Sequence, residues 1–299
     1  MDTASNEGYA YREQLDERAR GLTLLGYLEA SYPHGDGPSW RERIERGEVE
    51  LDGVVVVAPE HPLRPGQRLC WNRPPWREPE VPLHFEVIHE DDDLLVVSKP
   101  SGLPTAPAGG FLAHTLLTLV RQRDPLWTPM HRLGRGTSGL VVFARTPEAR
   151  SSLQAIWRGR EVEKRYRALA QGILPAEPFT VDAPIGPVEH PALGTLQAAC
   201  STGKPSHSEV RLLAVRGEAS LAEVRIATGR PHQIRIHLAF AGHPLVGDPL
   251  YGPGGIPWPG TDALPGDLGY HLHAWRLAFA HPRTHRRLEL EAEPPAELR

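Results

Sequence analysis

The stretch HRLGRGTSGLVVFART, residues 131–146, decides the fold of this chain and indicates where a functional site lies. Three glycines stand within its first ten residues, so the backbone there is neither a regular helix nor a flat strand and has to bend. The apolar run that follows predicts a buried strand. The bend carries two arginines and a pair of hydroxyl side chains but no carboxylate, and it is the first place to look for chemistry.

The composition is typical of a globular protein with a sizeable core, because 40% of its 299 residues are hydrophobic. No apolar run reaches the roughly 18 residues of a membrane span, and the polar N-terminus lacks the features of a signal peptide, so we expect a cytoplasmic protein that does not bind membranes. The net charge of -4 does not suggest a nucleic-acid-binding protein, although a basic groove can lie on an acidic body.

Cys70 and Cys200 indicate neither a disulfide framework nor a cysteine-based zinc site. All cationic residues but three are arginine, which is typical of a GC-rich bacterial genome.

The chain is predicted to contain two folded parts joined by a linker. Residues 1–20 resemble a charged tail with a short helical stretch. Residues 21–72 show two short apolar helices, the second ending at Gly47, followed by strands. Residues 73–82 are rich in proline and charge, which is typical of a semi-rigid linker, and residues 83–299 form a larger domain.

The larger domain shows many strands with a few helices between them and no strict alternation of the two. This order predicts an α+β domain around a mixed, mostly antiparallel sheet. The predicted strands are FEVIH, DLLVVSK, GLVVFART, KRYRALAQG, EVRLLAV, LAEVRIAT, HLHAWRLAFAHP and RRLELEAEP; the predicted helices are LAHTLLTLVRQR, PEARSSLQAIWRG and QIRIHLAFAG.

Four segments of the larger domain resemble the RluA-type family of RNA pseudouridine synthases. They are EDDDLLVVSKPSGLPTAP, MHRLGRGTSGLVVFART, KRYRALAQG, and TGRPHQIRIHLAFAGHPLVGDPLYG followed by HLHAWRLAFAHP. The resemblance covers residues 83–299 and implies the pseudouridine synthase fold. It also implies an enzyme that flips a uridine out of rRNA or tRNA and isomerises it to pseudouridine without a cofactor or metal. We expect the protein to act as a monomer.

The smaller part resembles the S-four type of RNA-binding module that precedes the catalytic domain in several RNA-modifying enzymes. In that module the helix that here carries Arg41, Arg43 and Arg46 faces RNA phosphates. The alternative is an ordinary solvated helix face.

The family resemblance assigns roles to residues near the bend. Tyr166 is the aromatic residue that packs on the target uracil, and Lys164 lies two residues earlier on the same strand face. Arg132, next to His131, enters the base stack in place of the flipped nucleotide. Arg235 is a buried arginine that pairs with the catalytic aspartate in relatives.

The turn before Arg235 is also predicted to take part in the site. Arg230, His232 and Gln233 are predicted RNA contacts, and the last two are also expected to shape the turn and its hydrogen bonds.

Gly134 is the point at which this chain departs from the family. The family motif reads His-Arg-Leu-Asp, and its aspartate is the catalytic residue, whereas glycine can neither attack a sugar nor accept a proton. Arg235 therefore has to find another carboxylate, reach solvent or meet an RNA phosphate. Either Asp248 or the cluster of residues 91–93 could replace the missing acid, but that cluster is better explained as a solvated turn.

Three explanations for the glycine remain open: another carboxylate works in its place, the protein is an RNA-binding paralogue without turnover, or the glycine is an introduced change. Since the flanking motifs are intact, we favour a divergent subgroup that works on RNA.

Two other kinds of site are less favoured. His271 and His273 share a strand face, but no further ligand falls at a recognisable metal-binding spacing, so we predict no metal site. Ser138 does not stand in the Gly-x-Ser-x-Gly sequence of a hydrolase nucleophile, and its hydroxyl is expected to bond backbone groups of the turn.

Overall fold

The chain divides into two compact units, Met1–Glu78 and Pro79–Arg299. The computed structural model describes residues 5–32 and 35–299. The boundary between the units falls inside the predicted linker of residues 73–82. None of the helices in the described ranges is long and apolar enough to cross a membrane.

The smaller unit packs two short helices on an antiparallel sheet of four strands in the order β1-β4-β2-β3. Thr23 and Asp36 cap the helices by accepting hydrogen bonds from the first-turn backbone. Trp40 and Ile44 lie fully buried on the second helix, as their spacing predicts. The elements are β1 Tyr9–Gln14, α1 Leu24–Ser31, α2 Gly37–Glu45, β2 Val49–Leu51, β3 Val54–Val55 and β4 Arg68–Arg73.

The predicted charged tail of residues 1–20, of which residues 1–4 lie outside the described ranges, is a folded part of the smaller unit from residue 9 onward. Residues 9–14 form β1, which pairs with β4 along its whole length, and the predicted helical stretch is one 3-10 turn at Glu17–Ala19. The ring of Tyr11 stacks on that of Trp71 in β4, with the ring centroids 5.1 Å apart. Cross-strand aromatic contacts of this kind stabilise a strand in spite of its charged residues.

The larger unit is built around one mixed sheet, and every residue of this unit is described. Its elements are β5 Glu86–Glu90, β6 Leu94–Lys99, α3 Leu116–Arg123, β7 Thr128–Pro129, β8 Ser138–Ala144, α4 Pro147–Gly159, β9 Glu163–Gln171, β10 Phe179–Val181, β11 Ile185–His190, β12 Gly194–Ala199, β13 Ser208–Arg216, β14 Ala219–Ile226, α5 Gln233–Phe240, β15 Tyr251–Gly252, β16 Ile256–Pro257, β17 Leu272–Ala280 and β18 Arg287–Glu291. The predicted strands and helices are all present. The β11–β12 hairpin and the short strands β7, β10, β15 and β16 were not predicted.

The main sheet has the strand order β10-β13-β14-β9-β17-β8-β6-β5, with β18 beside β17 and β7 beside β8. Only β17 and β8 run parallel, and the other neighbours are antiparallel. The predicted α+β class with a mixed, mostly antiparallel sheet is therefore confirmed. Every residue of β8 is buried, because Val141 and Phe143 enter the core on one face while Leu140 and Val142 enter the core on the other.

The solvated-turn interpretation of residues 91–93 is wrong for Asp93. Its side chain is buried and accepts hydrogen bonds of 2.5 and 2.8 Å from Arg283. Asp91 accepts from two backbone N–H groups of the turn and lies 3.1 Å from Nε2 of His281. Asp91, Asp93 and His281 are close enough to share a cation. The carboxylates, however, already serve the ion pair and the turn, so the cluster is part of the fold.

Replacing Asp93 with asparagine is expected to lower the midpoint of urea denaturation at pH 7, because the side chain at position 93 loses its charged hydrogen bonds with Arg283. The hydrogen bonds from Arg283 lower the pKa of Asp93, so its stabilising contribution is present above the ordinary aspartate pKa and is lost as the pH falls through the folded-state value. Urea denaturation at pH 7 and pH 3 measures both effects. The exposed Asp92→Asn is the control, and an equal loss in both variants would contradict this account.

Candidate active site

The bend of residues 131–137 lies immediately before β8 and is held by the segment KPSGLPT, residues 99–105. The ammonium of Lys99 donates to three backbone carbonyl oxygens, among them that of Arg135 at 3.3 Å. The hydroxyl of Thr105 donates to another carbonyl of the bend at 2.9 Å. Burial lowers the pKa of Lys99 to about 7. Lys99 positions the bend. Its position in the sequence did not predict this role.

His131 begins the bend and is held by contacts within the protein. Its Nε2 accepts a hydrogen bond from the backbone N–H of Val142 at 3.1 Å, and its ring stacks on that of Trp157 with the centroids 5.6 Å apart. Burial, assisted by the nearby charge of Lys164, lowers the pKa of His131 to about 3, so the ring is neutral at physiological pH. These contacts give His131 a positioning role, and its contact with RNA stays a prediction.

Tyr166 and Lys164 lie on the same face of β9. Tyr166 is opposite Val224 of β14 and Ala274 of β17 and is 9% exposed. Burial raises the pKa of its phenol to about 12, which keeps the hydroxyl protonated at neutral pH. Lys164 is partly buried, which lowers its pKa, and a Cβ atom placed on Gly229 would lie 3.7 Å from its Nζ. The strand therefore brings an ammonium to the turn before α5 and to His131.

Arg235 of α5 forms a buried ion pair with Asp248, the two side chains being 2% and 1% exposed. Its Nε and Nη2 each lie 2.7 Å from a carboxylate oxygen, and Nη1 donates to the carbonyl of Pro265 at 2.9 Å. Although burial opposes the charged form, the hydrogen bonds to Asp248 raise the pKa of Arg235. The guanidinium lies 4.2 Å from the ring centroid of Tyr270 and 4.9 Å from that of Tyr251. The sequence left three partners open for Arg235: another carboxylate, solvent or an RNA phosphate. In the structure its partner is another carboxylate, that of Asp248.

Asp248 is the replacement acid that the sequence suggested, but its geometry does not support catalysis. Besides the two hydrogen bonds from Arg235, its Oδ1 accepts from the backbone N–H groups of Leu250 and Tyr251 at 2.9 and 3.0 Å. Both oxygens are thus engaged inside the protein and shielded from solvent. Asp248 anchors the VGDPLYG turn to α5.

The turn before α5 contains the other predicted RNA contacts. Gln233 is 3% exposed, and its Oε1 accepts from the hydroxyl of Thr228 at 2.7 Å and from the N–H of Arg230 at 3.1 Å. Its predicted role in shaping the turn is therefore confirmed, whereas its burial does not support a contact with RNA. His232 has a φ of 57° and shares a hydrogen bond of 2.7 Å with the hydroxyl of Tyr251, and burial lowers its pKa to about 4. Arg230 is half-buried at the rim of this turn.

Arg132 and Gly134 are the exposed residues of the bend. Behind Gly134 lies the phenol of Tyr270, a residue that no sequence motif indicates. A Cβ atom placed on Gly134 would lie 3.1 Å from the Tyr270 hydroxyl, and one placed on Gly136 would lie 2.9 Å from its ring. The hydroxyl shares a hydrogen bond of 3.3 Å with that of Thr137. The family motifs offer no signal for Tyr270, because the fold brings it to the bend from more than 130 residues away.

His273 and Ser138, which were considered as a metal ligand and as a hydrolase nucleophile, form buried hydrogen bonds within the protein. Nδ1 of His273 bonds the hydroxyl of Ser138 at 2.8 Å, and its Nε2 bonds the carbonyl of Ala292 at 3.0 Å. Both ring nitrogens of His237 are used in the same way. These side chains tie neighbouring segments together, and the hydroxyl of Ser138 bonds a histidine ring, and not the backbone of the turn as its sequence had suggested.

The three arginines of the smaller unit that are predicted to contact RNA already have partners within the protein. Arg41 pairs with Glu60 at 2.9 Å and Arg46 pairs with Glu42 at 2.5 Å, all on exposed side chains. The guanidinium of Arg43 packs over the rings of the buried Trp40 and Trp71. Exposed pairs of this kind are worth at most about 1 kcal/mol, so the first two arginines can exchange partners.

Comparison with known proteins identifies the family. The model of the RNA pseudouridylate synthase family matches residues 93–240. An uncharacterized RNA pseudouridine synthase of Synechocystis sp. is 45% identical over 277 residues, which is 92% of this chain and 95% of the relative. The chain belongs to the RNA pseudouridine synthase family.

Other members of the pseudouridine synthase family agree with this assignment. RNA pseudouridine synthase 5 of Oryza sativa is 37% identical over 350 residues, covering 97% of this chain and 88% of the relative. Among solved structures, human RNA pseudouridylate synthase domain containing 1 has a TM-score of 0.58 at 26% identity, over 74% of this chain and 89% of that one. The family resemblance of the sequence and its pseudouridine synthase fold are therefore confirmed.

Asp248→Asn is expected to lower the free energy of unfolding by about 3 to 5 kcal/mol, because the substitution leaves the buried Arg235 charge without its partner. Urea denaturation compares it with Asp262→Asn, an exposed aspartate of the same unit that should change stability by less than about 0.5 kcal/mol. Equal stability of the two variants would contradict the anchoring role of the ion pair.

Proposed function

We propose that this protein isomerises uridine to pseudouridine in rRNA or tRNA. The bond from N1 of uracil to C1′ of the ribose breaks, the base turns, and a bond from C5 to C1′ forms. C5 loses one proton and N1 gains one, so substrate and product have the same composition and the reaction needs no cofactor. The target base first leaves its stack, which costs a few kcal/mol.

The observation that carries this proposal is the meeting of all four family motifs at the bend of residues 131–137. Lys99 of the first motif donates to the bend. Lys164 of the third motif lies close enough to lower the pKa of His131, where burial is the larger cause. Arg235 of the fourth lies against the tyrosine ring that packs on Gly136. Residues distant in the chain thus surround a single bend, in which Arg132 and Gly134 are exposed.

The residues around the bend suit a flipped nucleotide. The ring of Tyr166 offers a surface for the uracil, and stacking of a base on an aromatic side chain is worth about 1 to 3 kcal/mol. Arg132 is an exposed residue of the bend, so it can fill the gap left in the RNA stack. Lys164 and Arg230 supply positive charge for the phosphates on either side.

The second candidate function is RNA binding without turnover, and the specific observation in its favour is Gly134. The bend carries no carboxylate, and Asp248 is held by four hydrogen bonds. The enzymatic function is favoured because the family's flanking motifs are retained together in space.

A strain that lacks the gene is expected to have at least one rRNA or tRNA uridine that is no longer isomerised, as mapped by mass spectrometry after cyanoethylation of pseudouridine. The wild-type gene should restore it. Tyr166→Leu should lower the rate by about 10- to 100-fold, because it removes the aromatic surface on which the uracil stacks. Tyr9→Leu, which replaces an exposed tyrosine of the smaller unit, is the matched control. An unchanged pseudouridine map in the deletion strain would remove the enzymatic function and leave RNA binding.

The smaller unit is proposed to help bind the substrate, with residues 21–72 as an S-four-like module joined through the segment 73–82 to the catalytic domain at 83–299. In this scheme the module contacts phosphates through Arg41 and Arg46. The protein is proposed to act as a monomer in the cytoplasm of a bacterium.

The double variant Arg41→Gln/Arg46→Gln is expected to weaken RNA binding and to reduce its salt dependence. Each lost phosphate contact should lower the slope of log affinity against log salt by about 0.7 to 0.9. Filter binding at several salt concentrations measures the slope. Arg18→Gln/Arg20→Gln is the matched control, because these arginines are exposed and paired with acids in the same unit. Equal slopes for both double variants would exclude the α2 arginines from the RNA interface.

A further inference from the structure

Gly134 and Gly136 are needed in the bend because they lack a side chain, and not because of their backbone conformation. Glycine is required where φ is positive, as at Gly139 with a φ of 105°, but neither Gly134 nor Gly136 has a positive φ. Their conformations would suit other residues. What differs is the room that a side chain would need, since a Cβ atom on either glycine would come within 3.1 Å of Tyr270.

Tyr270 occupies the room that these glycines leave. Its ring lies where a Cβ atom of Gly136 would make contacts of 2.9 Å, and its hydroxyl lies 3.1 Å from the Cβ position of Gly134. The tyrosine is 5% exposed, whereas Gly134 in front of it is exposed. Because Gly134 carries no side chain, the space that its Cβ atom would occupy borders the phenol hydroxyl at 3.1 Å and the hydroxyl of Thr137 at 3.6 Å.

The surroundings of the ring suit a hydroxyl that changes its charge during a reaction. The guanidinium of Arg235 lies 4.2 Å from the ring centroid and is fixed there by the two hydrogen bonds to Asp248. A fixed positive group favours negative charge that develops beside it in a transition state. The hydroxyl of Thr137 shares a hydrogen bond with the phenol and holds its orientation.

We propose that Tyr270 is a catalytic residue of the isomerisation, its hydroxyl giving a proton to N1 of the uracil and taking one from C5. This inference rests on the proposed function of the protein. It assigns acid–base chemistry to a side chain outside the bend and explains why positions 134 and 136 of the bend are glycine.

The proposed steps balance in atoms and electrons. When the N1–C1′ bond breaks, its electron pair stays on N1, which takes the phenol proton and leaves a phenolate beside the guanidinium and a cation at C1′. After the uracil turns, an electron pair of its C5–C6 bond forms the C5–C1′ bond. The phenolate then removes the proton of C5, which restores both the phenol and the aromatic electrons of the base.

The test compares Tyr270→Phe with the wild-type full-length chain in single-turnover assays on RNA from a strain that lacks the gene. Phenylalanine keeps the ring and its packing but removes the proton donor. The expected result is a rate of pseudouridine formation at least about 100-fold lower, with the Kd for RNA unchanged within about twofold. Tyr27→Phe, a buried tyrosine of the smaller unit, should leave both quantities unchanged.

A second variant tests the position of the hydroxyl. In Gly134→Asp/Tyr270→Phe, a carboxylate starts from a Cβ position 3.1 Å from the lost hydroxyl, and we expect at least a tenfold recovery of rate over Tyr270→Phe. No recovery, or a Tyr270→Phe enzyme as fast as the wild type, overturns the assignment while the proposed function stands. A fall in RNA affinity that accounts for the whole loss of rate also overturns it. A wild-type protein that forms no pseudouridine overturns both proposals and is recognised without any variant.

Discussion

The buried ion pair between Arg235 and Asp248 is the interaction on which the site depends. Its two short hydrogen bonds join α5 to the VGDPLYG turn, and the remaining contacts of Asp248 fix the backbone of that turn. The guanidinium in turn lies against the ring of Tyr270, which packs on the bend before β8. A buried pair of this kind loses several kcal/mol if either partner is removed, so it is a rigid support. The side chains that we propose to face the substrate are arranged around it.

The same support accounts for the unusual composition of the bend. A motif with a carboxylate at position 134 would need space where the Tyr270 hydroxyl now lies, and a side chain at position 136 would collide with its ring. The glycines and the tyrosine therefore form one packing unit, although they are far apart in the chain. In this arrangement Arg235 keeps a carboxylate partner in Asp248 and presents its positive charge to a phenol. A divergent catalytic centre explains these contacts better than the simple loss of an acid.

Local patterns in the sequence predicted those parts of the molecule that are determined locally. The helix predicted at PEARSSLQAIWRG has the bounds of α4, because Thr146 caps its first turn and its apolar spacing is regular. The buried strand β8 was predicted from its continuous apolar run.

Features that depend on distant parts of the chain were not predicted. The strand β1 was missed because its partner β4 lies more than 50 residues further along the chain. The burial of Asp93 was not predicted, because its partner Arg283 approaches it only in the folded chain. Tyr270 was missed for the same reason, because only folding brings it to Thr137. The pairing of Arg235 with a second carboxylate could be anticipated from the cost of a buried charge, but its geometry could not.

The central claim is that this bend breaks and remakes a glycosidic bond without a carboxylate at position 134. Release of tritium from RNA labelled at C5 of uridine measures that event directly, because each pseudouridine formed frees one C5 hydrogen. The purified wild-type chain, added to labelled rRNA and tRNA from a strain without the gene, is expected to release tritium to a plateau that corresponds to one or a few uridines per RNA molecule. RNA that is bound by the protein but releases no tritium would contradict the account.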